Sequence, residues 1–258
     1  MRNFIFLSLL FLAACSGEEA KTDDKTTGKK LANEGSLESE MKAIDSEIQS
    51  SGQQATSMRY TKENGAFIVV NAHLNEAGKI IKIEEDYSDG DGANSGRNSF
   101  YLKDEKVFAS REYYSDMSAH PASFVDRLSY YDKNQKVVKT QEKRVEFEEE
   151  LDRVEYQDVA LKGITMDRAK KVLDQSGEFE TFFQGFVNVQ ALNYIIIGSK
   201  NSESWVSSVR VDYEDSFIKT LLSDPKKYLN RKVFVAFENI TDPTNFQYQS
   251  YLSGKFVD

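Results

Sequence analysis

Cysteine is nearly absent: Cys15 is the one thiol in 258 residues. No intrachain disulfide can form, and thiolate-rich zinc or iron–sulfur sites are excluded with it. Proline occurs 3 times, tryptophan once and histidine twice. His73 and His120 stand apart, and neither has carboxylates at the helical or turn spacing that a zinc site needs. There is no Gly-x-Ser-x-Gly, no His-Glu-x-x-His and no Walker glycine loop, so the common signatures of hydrolases and nucleotide-binding enzymes are missing. A surplus of cations is missing too. The formal net charge is −9 with no long basic cluster, which argues against nucleic acid and against electrostatic docking on anionic lipid. After the first residues, no apolar run is long enough to span a bilayer.

What is present begins at the N-terminus. Arg2 supplies a short basic start, and the run from Phe4 to Leu12 is apolar apart from Ser8. From Phe4 to Ala14 a helix would rise roughly 16 Å, about half of a bilayer core of about 30 Å. The run therefore reads as a signal-peptide h-region. Leu12-Ala13-Ala14-Cys15 follows. This stretch resembles the bacterial lipobox, the Leu-small-small-Cys pattern of lipoprotein precursors. The resemblance covers the first 15 residues only and implies cleavage between Ala14 and Cys15. It also implies a diacylglyceryl thioether on Cys15 and acylation, palmitate included, of the new amino end. Stable attachment takes more than one acyl chain, since each buried methylene contributes about 0.8 kcal/mol and one chain is marginal.

Behind the anchor, residues 15–35 are polar and read as a disordered tether. Glu18-Glu19 fits two readings, an acidic signal for export to the cell surface and simple solubility. Leu37, Met41, Ile44 and Ile48 recur on one stripe, which predicts a short amphipathic helix over 36–50 with Ser36 as N-cap and Gly52 past its end. Such a stripe packs on its own body or on a partner helix.

Residues 58–158 change period. They are rich in Tyr, Phe, Val and Ile and hold a weak internal repeat: an apolar strand end, a polar turn, then a lysine and an apolar pair. The matched lysines are Lys79, Lys106 and Lys136, 27 and 30 residues apart. That is the spacing of successive hairpins in a meander with one buried and one wet face. Helix and strand fit the acidic stretch 146–158 equally, and it is marked as a seam. In 164–258, Thr165 is a candidate cap for a helix over 166–175 ended by Gly177. Strands follow at 182–189, 194–198 and 205–213, then a helix over 215–222, then strands at 232–238 and 245–256. Three strands, a helix and two strands is the order of a Greek-key barrel of the OB type. The expected class is mainly β (α+β): an N-terminal antiparallel β-meander of hairpins, then a small OB-like β-barrel with one or two helices.

Candidate binding residues are few. Asp86, Asp89, Asp91 and Asn94 offer oxygens suited to calcium, with Gly90 and Gly92 between them. Ala93 stands where a third EF-hand ligand belongs and no glutamate closes the set, so a flexible hairpin loop explains the same residues. The expectation is no metal and no cofactor. Glu84-Glu85 and Glu148-Glu149-Glu150 read as solvated faces, because strand neighbours point to opposite sides. Tyr113-Tyr114, Tyr130-Tyr131 and Phe182-Phe183 read as sheet packing, with a stacking platform for sugars or an acyl-chain groove as the alternative. Lys226-Lys227 and Arg231-Lys232 form the nearest thing to a basic patch and read as a solvated turn.

The sequence thus supports a non-enzymatic binding or scaffold lipoprotein of the cell envelope. It would be held in the outer membrane by Cys15, facing the periplasm or the cell surface. Its expected partner is an envelope protein, a glycan or a lipid. A lipid carrier or chaperone with a concave apolar sheet is the alternative, and a carboxylate hydrolase is the third reading. Replacing the thiol tests the anchor. Cys15→Ala is expected to abolish palmitate labelling and to move the chain from the membrane to the soluble fraction. Continued sedimentation with membranes would overturn the lipobox reading.

Overall fold

The computed structural model describes residues 34–200 and 204–257. The signal peptide, Cys15 and the stretch around Glu18-Glu19 lie outside the described residues. Residues 35–258 form one compact unit. Helix α1 (Glu34–Ser51) comes first, then β1 (Gln54–Thr56) and β2 (Tyr60–Thr61). The meander is β3 (Phe67–Leu74), β4 (Ile80–Ser88), β5 (Ser95–Lys103), β6 (Lys106–Asp116), β7 (Ser123–Tyr131) and β8 (Val137–Val145). A 3-10 helix (Glu148–Arg153) and β9 (Gln157–Asp158) occupy the acidic stretch, so the supposed seam extends the same sheet. The C-terminal section holds α2 (Asp167–Leu173), β10 (Phe182–Val189), β11 (Leu192–Gly198) and β12 (Val206–Arg210). It continues with α3 (Ser216–Ser223), α4 (Pro225–Tyr228), β13 (Val233–Thr241) and β14 (Gln247–Phe256).

The three repeats are the three meander hairpins, and the lysines mark where the return strands begin. Two of the turns share one mechanism. The Asn75 side chain accepts the Ala77 and Lys79 N–H groups, and Asp132 accepts those of Asn134 and Lys136. Gly78 and Gln135 take the positive φ that closes each turn. The middle turn is tighter, with Asp104 and Glu105 both at positive φ, as in a two-residue type I′ connection. That turn is shorter than the other two. The Asx turn recurs at the end of the chain, where Asp242 accepts the Thr244 and Phe246 N–H groups between β13 and β14.

Both faces of the meander are used, where the sequence pattern suggests one buried and one wet. On one face Ile68, Val70, Ala72, Ile83, Phe100 and Leu102 join a core with Ala169 and Val172 of α2. Phe179, Phe183, Ile195, Ile197 and Val209 complete it from the C-terminal section. On the other face α1 lays Leu37, Met41 and Ile44 against Tyr101, Ala109, Leu128 and Tyr130. Asp45 of α1 accepts from Lys82 Nζ at 2.8 Å and from the Tyr101 hydroxyl at 3.2 Å. The amphipathic stripe therefore packs on its own body.

Several helix ends differ from expectation. Ser36 lies inside α1, which begins two residues earlier, while Gly52 at positive φ does follow its end. Thr165 is not the cap of α2: Met166 holds that position without a side-chain bond, and the helix ends at Leu173 with Asp174 as its C-cap, before Gly177. Asp215 caps α3 through the Ile218 N–H. Pro225 both stops α3 and opens α4, with Asp224 as its cap.

Among the described residues all 14 strands belong to one mostly antiparallel sheet, which forks at β12. One edge of β12 pairs with β11. The other is shared: Val206 pairs with Thr61 of β2, and Arg210 pairs in parallel with Ser250 of β14. Among the described residues no continuous ladder closes the C-terminal strands into a barrel. β10 and β13 meet at a single bridge, Phe182 with Lys232, supported by a bond from the Val233 N–H to the Thr181 carbonyl.

The buried amide of Gln249 spans the fork. Its oxygen accepts the Arg59 N–H at 2.9 Å, and its nitrogen donates to the Ser57 carbonyl and to Asn239 Oδ1, both at 3.1 Å. Backbone groups that a missing strand neighbour would leave unpaired are thereby satisfied. Gln249→Leu is expected to lower the unfolding free energy by about 1–3 kcal/mol. The exposed neighbour change Gln247→Leu should stay within about 0.5 kcal/mol. Urea titration of both variants distinguishes the two.

Candidate functional site

The α1-bearing face carries ion pairs set by strand register. Asp86 lies opposite Arg97, which donates to both its oxygens at 2.6 and 3.1 Å. His73 and Lys82 meet Glu84 at 3.0 and 2.8 Å. Arg111 grips Asp126 with two bonds of 2.8 Å, and the Tyr156 hydroxyl donates to the same carboxylate. On the opposite face Arg127 stands between Glu112 and Glu142, directly across both strands. Arg168 of α2 reaches Glu85, which also accepts from Asn98. Glu84 and Glu85 therefore point to opposite faces and serve separate cations.

These pairings hold the charged forms. Burial pushes the Glu84 carboxyl up, but the His73 and Lys82 hydrogen bonds, with the Lys82 and Arg97 charges, lower it to about 2. Burial disfavours the Lys82 ammonium, yet Tyr101, Asp45 and Glu84 raise it above its ordinary value. The Asp126 hydrogen bonds raise Arg111. A cleft of about 530 Å3 lies over this cluster, bordered by Asp45, Lys82, Glu84, Asp86, Arg97 and Arg111.

The residues singled out as calcium ligands are not gathered around one point. Asp86 is engaged by Arg97, and Asn94 Oδ1 accepts the Met117 N–H. Asp91 takes a positive φ and bonds through its N–H to the Asn64 carbonyl. Among the described residues no three His, Cys, Asp or Glu side chains form a group that would hold a metal ion. His73 is committed to Glu84, and His120 is exposed in the β6–β7 loop. Glu148 accepts from Tyr113. In the basic stretch Lys232 pairs with Glu180, and the Arg231 guanidinium lies over the Phe256 ring.

The aromatic pairs serve packing. Tyr130 is buried beside Met41, and the Tyr131 hydroxyl bonds the backbone of Ile164. Tyr114 accepts from Arg127, and Phe182 and Phe183 are buried.

A larger open feature is a groove of about 1260 Å3 that no sequence motif announces. It lies where the sheet forks, between the β10–β11 and β13–β14 hairpins, and is floored by Phe67 and Val69 of β3, Ile196 of β11 and Ser208 of β12. Val187 and Val189 rise on one wall, 47% and 50% exposed, and Phe246 rises on the other at 60%. Asp86 and Gly96 border both this groove and the charged cleft, so the two adjoin. A two-residue turn at Gln190 and Ala191, both at positive φ, projects the first wall, and the Asp242 Asx turn projects the second. The sequence alone carries no signal for the groove. Beyond the register shift between Phe183 and Gly185, Val187 and Val189 repeat apolar residues on the side a half-buried strand leaves to water.

Glu84 makes the electrostatics testable. Its carboxyl drops from 4.5 to about 2 on folding, so its contribution to stability is present above pH 4.5 and is lost as the pH falls towards 2. Glu84→Gln is expected to flatten that part of the stability–pH profile, measured by urea unfolding, relative to the unmodified chain. Comparison of this chain with protein-family models, with curated proteins and with solved structures returns no match.

Proposed function

We propose that this chain is a non-enzymatic binding or scaffold lipoprotein of the bacterial envelope, anchored through lipidated Cys15, and that it meets its partner in the groove. The observation that carries this reading is the exposure of Val187, Val189 and Phe246 on two opposed walls of one open feature. Exposed apolar side chains gathered around one open feature favour an interaction site. The sheet's acids give a hydrolase reading little support, because Glu84, Glu85, Glu112, Asp126 and Glu142 are each tied to a cation. A lipid-carrier reading has less support still. The apolar face of the meander is covered by α2 and the C-terminal strands.

The C-terminal section we read as OB-like. Strands β10, β11, β12, β14 and β13 adjoin in that order, β12 runs parallel to β14, and α3 connects β12 to β13. The Phe182–Lys232 bridge returns the last strand to the first. On this reading the groove falls on the second and third strands, between the loops where such barrels hold ligands. The analogy suggests a location and leaves the ligand to the side chains.

A photo-crosslinking residue at position 246, expressed in intact cells, tests the groove. It is expected to yield a crosslinked species. The same residue at Lys133, in the exposed β7–β8 turn, should yield none. Equal labelling at both positions, or none at 246, would overturn the reading.

A further inference from the structure

We infer that the occupant of the groove is an uncharged oligosaccharide chain, an inference that rests on reading the groove as the binding surface. Charge is the first reason. Of the described residues lining the groove only Arg59 and Asp86 are charged, although 29% of the chain is. Asp86 is already neutralised by Arg97, and the Arg59 guanidinium lies on the Phe67 ring, 3.9 Å from its centroid. A phosphate-bearing or strongly ionic ligand would find no matching field there. A nucleic-acid strand would meet only Arg59 on the lining and Arg210 at the Tyr248 ring, the latter already paired with Asp212.

The second reason is the kind of surface offered. The floor strands have both edges occupied: β3 pairs with β1 and β2 on one side and β4 on the other, β11 with β10 and β12, and β12 with β11 and the fork. An extended peptide recognised by strand addition would need an open edge, and the floor presents side-chain faces instead. Those faces mix rings with amides and hydroxyls, including Gln54, Thr56, Ser208 and Gln247. An acyl chain would desolvate these groups without replacing their hydrogen bonds, at considerable cost. A sugar ring carries C–H faces and equatorial hydroxyls together and satisfies both kinds of group.

The third reason is the ring geometry. Phe246 and Tyr248 are near parallel, 24° between planes and 6.2 Å between centroids, and Arg210 backs the Tyr248 ring at 4.5 Å. Tyr194 adds another ring to the lining. The groove, at about 1260 Å3, exceeds the roughly 300–1,000 Å3 of ordinary small-molecule pockets, which suits a chain of sugar units over a single one.

Saturation-transfer NMR on the full chain in detergent, with a panel of neutral hexasaccharides (α- and β-glucan, mannan, galactan and chitin), tests the inference. Transfer to the ring C–H protons of at least one probe is expected. Phe246→Ala and Tyr248→Ala should each weaken it roughly tenfold, while Leu161→Ala, on an exposed segment outside the groove, leaves it unchanged. Circular dichroism of each variant separates lost binding from lost fold. Binding that survives both ring substitutions in one chain would overturn the assignment to this groove. A silent panel together with protein adducts from the position-246 crosslinker would overturn the glycan and leave the groove standing. A silent panel with no adduct at all would overturn both.

Discussion

The arrangement depends on the divided edge of β12. A strand has two edges, and every backbone N–H and C=O along them needs a partner when buried. Here one edge serves β11, while the other serves β2 at Val206 and β14 at Arg210. Two neighbours cannot occupy the same edge in parallel planes, so they diverge. The meander continues from β2 and the last hairpin continues from β14, and the groove opens where they part. Gln249 makes the divergence affordable by offering its amide to Ser57, Arg59 and Asn239.

The meander relies on a different device. Six long strands in antiparallel register place every second residue on the same face, so charges that alternate along one strand line up across several. Glu112, Arg127 and Glu142 form one such row. These pairs sit partly desolvated, where leaving one member alone is far more damaging than the pair is stabilising. The network therefore specifies register more than it adds stability. A one-residue slip would put each cation opposite the wrong face. The same alternation places a cation within ion-pair distance of Glu84, Glu85, Glu112, Asp126 and Glu142.

The two walls of the groove rest on turn chemistry. Gln190 and Ala191 hold positive φ in a tight connection, and Asp242 folds the other tip around its own side chain. Short, self-satisfied turns let exposed Val189 and Phe246 stand at the hairpin ends without help from the core. On these arms Val187, Val189 and Phe246 keep their apolar side chains in water.

The meander hairpins and the first helix were legible in the sequence. Lys79, Lys106 and Lys136 mark the three return strands, Asn75 and Asp132 mark two of the turns, and the stripe of Leu37, Met41 and Ile44 marks α1. All of these are local: periods of 2 and 3.6 and side chains bonding their own backbone two to four residues away. Tertiary structure alone decided which face each strand buries. Val187 and Val189 look like core residues, and only the fork leaves them exposed. The stretch 146–158 fits helix and strand equally because it holds only a short 3-10 turn and a two-residue strand, whose pairing with the preceding β8 no local period signals. The groove was not legible for the same reason. Its lining comes from residues 54–96, 187–208 and 239–249, which no local period connects and only the pairing around β12 brings together.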